Sequence, residues 1–110
     1  MIIPKEAQMV INQSDYRLQT QKIVEYTLNE LEKAELKMSE LQIVILVNHL
    51  EAMITRAENG EAVMPVDANL FTEVSQRSLN LAEQVVETIG QLAKDELYLL
   101  SIHFETAAQN

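Results

Sequence analysis

Apolar side chains recur along this chain at helical intervals. Val24, Leu28, Leu31 and Ala34 are spaced three and four residues apart, and Glu25, Glu32 and Glu35 fall outside that stripe. The period predicts an amphipathic helix over about 16–37, with Asp15 as its candidate N-cap. Ser39 and Gln42 then form a capping box, in which hydroxyl and amide each satisfy an orphan backbone N–H. A second helix is expected to start there and run over about 40–58. Its apolar residues (Leu41, Ile43, Val44, Leu46, Val47, Leu50, Met53, Ile54) cover more than one stripe. Such a helix is buried on several sides, or buried on one and docked to a partner on another. Asn59 and Gly60 end it, because both tolerate left-handed backbone angles.

After the loop "EAVMPVD", Asp67 is placed to cap a short third helix over about 68–77. A fourth is expected over about 79–89, with Leu79, Ala82, Val86 and Ile89 on one face and Gly90 as its terminator. A fifth starts near Lys94 or Asp95 and runs close to the end. Asp95 and Glu96 lie in its first turn, where the helix dipole favours negative charge. Residues 1–14 show no clear period and read as a loose arm. Strand alternation is absent. The expected fold is all-α, a compact bundle of about five helices, with an arm over 1–15 and one domain over 16–110.

Charge and composition narrow the function. Eight basic against seventeen acidic residues give a net charge of −9. A phosphate backbone is bound through clustered Lys and Arg, and here Glu is interleaved throughout, so direct nucleic-acid binding is not expected. The 110 residues are 47% hydrophobic, enough for one core, although domains of this size gain from a dimer interface. There are no cysteines, which removes disulfides, thiolate metal sites and cysteine nucleophiles together and fits a cytoplasmic location. Lys5 and Glu6 interrupt the N-terminus, which does not read as a secretory signal. The longest apolar run, Ile43 to Val47, is too short to span a bilayer.

The candidate chemistry lies in two histidines, His49 and His103, each within a strongly apolar segment. "LVNHLEAM" and "LSIHFETA" align at them: Leu three before, a bulky apolar residue one after, Glu two after. A histidine within an apolar helix is most often a partly buried residue with a hydrogen-bond partner. A metal site would need three or four ligands, and neither H-E-x-x-H nor a Glu-x-x-His pair is present. No glycine-flanked serine elbow or glycine-rich phosphate loop exists, so no cofactor and no catalytic residue is assigned. The remaining option is that imidazole accepts a phosphoryl group, since it is a good nucleophile near neutral pH. Arg56 follows His49 by seven residues and Glu96 precedes His103 by seven, each about 10 Å along its helix. An Arg56–Glu96 pair across two packed helices would frame both histidines around one cleft. Residue chemistry alone leaves the core-histidine and phosphoryl-acceptor readings open.

The ordered set "LQIVILVNHLEAMITRAENGE", "LFTEVSQRSLNLAEQVVETIG" and "LAKDELYLLSIHFETA" resembles the phosphotransferase-system regulation domain, the PRD, over about residues 16–108. The resemblance rests on the order and spacing of His49, Arg56, Glu96 and His103, with Glu73 and Ala82 between. It implies a five-helix bundle that commonly dimerises, and that is not an enzyme. It implies His49 and His103 as phosphorylation sites, served by the phosphocarrier HPr or a sugar-specific IIB domain, with Arg56, Glu96 and Asn48 as supporting residues. Asn48 stands where the family usually has Asp, which removes one charge beside the first histidine but keeps a hydrogen-bonding group. Family regulators generally carry two such domains behind a nucleic-acid-binding module. A stand-alone domain is expected here, with output through self-association or pairing with a larger PRD-containing regulator. Two other readings remain: a helical interaction module with structural histidines, and a two-component histidine phosphotransfer domain. The latter usually has Lys-Gly shortly after its histidine, whereas Leu50-Glu51-Ala52 follow His49.

Overall fold

Ser39 opens the longest helix in the manner its sequence requires. The Gln42 N–H donates to Ser39 Oγ at 3.1 Å, and the Ser39 N–H donates to Gln42 Oε1 at 2.9 Å. In the computed structural model, which describes residues 2–110, this helix is Glu40–Asn59. It ends at Gly60 with φ of +69°, a left-handed turn that a Cβ would strain. Among the described residues there are five α-helices: α1 (Lys5–Gln13), α2 (Arg17–Lys33), α3 (Glu40–Asn59), α4 (Gln76–Ile89) and α5 (Glu96–Ala108). No strand occurs among the described residues. The bundle is all-α, as its periodicity implies.

The core is one cluster built from all five helices. Val24, Leu28 and Leu31 of α2 meet Leu46, Val47, Leu50 and Met53 of α3, with Val85 of α4 and Leu100 and Phe104 of α5. α3 carries the centre, packing against α1, α2 and α5. Its broad apolar surface is therefore mostly used inside the domain. Leu41 and Ile45 are the exceptions, 68% and 49% exposed.

The N-terminal residues differ from expectation. The segment read as a loose arm contains α1, whose Ala7 and Ile11 are fully buried. Ile3, Ala7, Val10 and Ile11 do share a helical face. A nine-residue helix is marginal by itself and gains its stability from what it packs on, here α3 and α2. Asp15 does not cap α2. Ser14 tightens that junction instead, its Oγ accepting the Tyr16 N–H at 3.0 Å and donating to Glu51 Oε1 at 3.1 Å.

The third helix expected over 68–77 is also corrected. Asp67 does cap, accepting the Asn69 N–H at 3.0 Å, but it starts only a 3₁₀ turn, Ala68–Phe71. Ser75 then caps α4, which begins three residues earlier than the pattern implied. The Ser75 N–H and the Ser78 hydroxyl both donate to Glu105 Oε1 of α5, so this start is fixed by tertiary contact.

Candidate functional site

α3 and α5 run against each other in opposite directions, and polar residues punctuate their apolar seam at fixed intervals. On α3 these are Gln42, His49 and Arg56, two turns apart each time; on the α5 side they are Asn110, His103 and Glu96, with the same spacing. The structure pairs them as three rungs. Arg56 donates twice to Glu96, Nε to Oε2 and NH2 to Oε1, both at 2.7 Å. His49 Nδ1 lies 3.2 Å from His103 Nε2. The Gln42 and Asn110 amides exchange hydrogen bonds at 3.2 and 2.7 Å. Seven residues bring side chains back to nearly the same helical face, which is why one seam can hold all three rungs.

The end rung is a fork-on-fork ion pair, the strongest hydrogen-bonded arrangement available to Arg and a carboxylate. Glu96 is completely buried and Arg56 is 23% exposed. Holding Glu96 in this bond pushes the Arg56 pKa upward. Asp95, beside Glu96, accepts the Val66 N–H at 2.8 Å and so ties the connecting loop to the start of α5.

The middle rung brings the two rings edge to face, with centroids 4.8 Å apart and planes at 70°. Both are half-buried. Burial pushes the His49 pKa from 6.5 down to about 4, helped by His103 and Arg56 and opposed by Glu96. Burial lowers that of His103 too. Both imidazoles are therefore neutral at physiological pH, each with a lone pair to share. His49 Nε2 is buried with no hydrogen-bond partner, whereas the His103 ring lines a concavity of about 180 Å³ with Met38, Gln42, Ile45 and Thr106.

These shifts carry a sign for stability. Below pH 6.5 the unfolded chain takes up a proton on His49 that the folded chain refuses until about pH 4. The unfolded state thus binds more protons, and stability falls as the solution is acidified through that window. Urea unfolding followed from pH 7 downward is expected to show this loss in the wild type and a shallower loss in His49→Gln. Equal slopes in the two proteins would contradict the assignment.

Comparison with known proteins identifies the family. The PRD domain family matches residues 21–107, which include both histidines, Arg56 and Glu96. The chain belongs to the PRD family. This PRD is similar to a crystallised PRD-containing transcription regulator from Lactobacillus casei ATCC 334, with 41% identity over 99% of this chain and 97% of that one and a TM-score of 0.96. None of the curated proteins matches it.

Within the PRD, four of the five residues singled out from sequence converge on one seam. Asn48 does not join them: it is exposed, its Nδ2 donates to the Val44 carbonyl of its own helix at 2.9 Å, and no hydrogen bond links it to either histidine among the described residues. Sequence reasoning missed the concavity beside His103. Only part of its signal was present, since Gln42 and Ile45 share a face of α3 while Met38 precedes the helix and Thr106 comes from α5. Among the described residues no group of three potential His, Cys, Asp or Glu ligands could hold a metal ion, and no helix is long and apolar enough to cross a membrane.

Proposed function

We propose that this PRD is a histidine-phosphorylated regulatory domain of the sugar phosphotransferase system. HPr or a IIB domain donates the phosphoryl group to His49 or His103 in the cytoplasm, and the domain turns over no substrate. The observation that carries the reading is the middle rung: two neutral imidazoles in contact, on the seam that also holds Arg56. A phosphoryl group brings roughly −1.5 to −2 charges and three acceptor oxygens. Set into this seam, it competes with Glu96 for Arg56 or drives α3 and α5 apart. Leu41 and Ile45 on α3 and Ile102 on α5 leave apolar surface around the histidines. That surface suits pairing with a second copy or with a larger PRD-containing regulator, and so gives the phosphorylation a route to transcription.

A structural-module reading draws on one feature, the covered His49 Nε2. Intact-mass analysis after incubation with phosphoenolpyruvate, enzyme I and HPr, with and without a IIB domain, separates the two. An acid-labile gain of phosphate, changed in His49→Ala or His103→Ala, is expected. No gain from any of these donors would favour the structural module.

A further inference from the structure

The four ring nitrogens of the histidine pair differ in how they can be reached. His49 Nδ1 and His103 Nε2 face each other at 3.2 Å, so each is occupied by the other. His49 Nε2 is covered by protein and has no hydrogen-bond partner. His103 Nδ1 has no partner either, yet it is not among the covered polar atoms, so it is open to solvent. Its ring forms part of the wall of the concavity that Met38, Gln42, Ile45 and Thr106 complete. That space is about 180 Å³, far more than the ~15 Å³ one water needs.

We infer that His103 Nδ1 is the atom that receives the phosphoryl group, and that His49 in the folded domain takes none and serves as the hydrogen-bond partner of the acceptor ring. The phosphoryl chemistry rests on the function proposed above; the choice of atom rests on access. Displacement at phosphorus needs the attacking lone pair in line with the leaving group, so the donor must approach along the axis of that lone pair. At His49 Nε2 the approach is blocked by packed protein. At His103 Nδ1 the axis diverges from the one that faces His49, and solvent reaches the atom. In the reactive tautomer the His103 Nε2–H donates to His49 Nδ1, which leaves the lone pair on His103 Nδ1. That lone pair forms the N–P bond. The donor's bond to phosphorus breaks, and its electron pair stays with the donor. The Nε2 proton, made more acidic by the new bond, passes to His49 Nδ1 or to water. Neither route uncovers His49 Nε2.

Phosphoramidate tests access without a protein donor, because it is small, transfers its phosphoryl group to imidazole and releases ammonia. The full-length wild type, treated briefly while native, is expected to carry acid-labile phosphate on His103 alone, as read by peptide mapping at alkaline pH. Alkaline hydrolysis should release the phosphohistidine as its Nδ1-linked isomer. Treated in urea, where the cover is lost, the same protein should be labelled on both histidines. Two variants keep the contact between the rings in place. His49→Asn sets an amide oxygen near the Nδ1 position, and His103→Gln sets an amide near the Nε2 position. Once circular dichroism shows retained helix, native His49→Asn should still be labelled and native His103→Gln should lose the label. Phosphate on His49 of the native wild type would overturn the inference, and so would an Nε2-linked isomer on His103. A native protein that takes none while both histidines react in urea would do the same. Mapping after incubation with HPr or a IIB domain separates the two claims. Phosphoramidate labelling of His103 with no transfer from either protein removes the proposed donors and leaves His103 Nδ1 as the open atom. Transfer from HPr to His49 keeps the donors and removes the assignment.

Discussion

Replacing Arg56 by leucine is expected to destabilise the domain by about 3–5 kcal/mol, the cost of removing one partner from a buried ion pair. The reason lies with Glu96. Its carboxylate is fully buried, and both its oxygens are spent on Arg56. Without the guanidinium it must remain charged in an apolar surrounding, take up a proton, or pull the start of α5 toward water. Glu96→Gln is expected to cost less, because Arg56 is 23% exposed and can turn to solvent while the amide still accepts one hydrogen bond. Replacing both by hydrophobic residues of similar volume should recover much of the loss, since no uncompensated charge remains. Urea midpoints of the four proteins, measured at one pH, check this ordering. An Arg56→Leu variant as stable as the wild type would show that the pair contributes only as a surface salt bridge does.

Phe104→Ala is expected to cost about 3–5 kcal/mol through the cavity it leaves. Phe104 is 1% exposed and is the largest fully buried side chain. It follows His103 directly and belongs to the stripe, with Leu97, Leu100 and Ala107, that seats α5 on the core. The melting temperature should fall steeply while far-ultraviolet circular dichroism at low temperature stays helical. Function should suffer along with stability, because the same turn of α5 sets the His103 ring against His49. If the variant melted within a few degrees of the wild type, α5 would have to be held by something other than its apolar stripe.

The parts of this molecule that could be read from sequence are those decided locally. Ser39 with Gln42 and Asn59 with Gly60 bracket α3 by cap chemistry alone, and the structure places the ends there. The pairing of Arg56 with Glu96 beside the two histidines was legible because these residues lie seven positions apart on two strongly apolar helices; the Gln42–Asn110 rung, at an exposed chain end, was not. What escaped reading depends on contacts from afar. α1 fully buries only Ala7 and Ile11, with Val10 partly covered, too short a stripe to announce a helix, and it is stabilised by packing on α3 and α2. Between Asp67 and Ser75 two caps compete for one stretch, and the winner is decided by Glu105 on another helix. Asn48 adjoins His49 in sequence, but adjacent helical positions face apart, so its amide turns to its own backbone.

The three rungs of the α3–α5 seam have a mechanical consequence. Because Gln42–Asn110, His49–His103 and Arg56–Glu96 share one spacing, a slide of either helix by a single turn breaks every rung and makes none. Small displacements are therefore not graded adjustments. The two helices either keep register along their whole length or part. Under the function proposed above, phosphorylation at the middle rung would then act as a threshold rather than a graded signal.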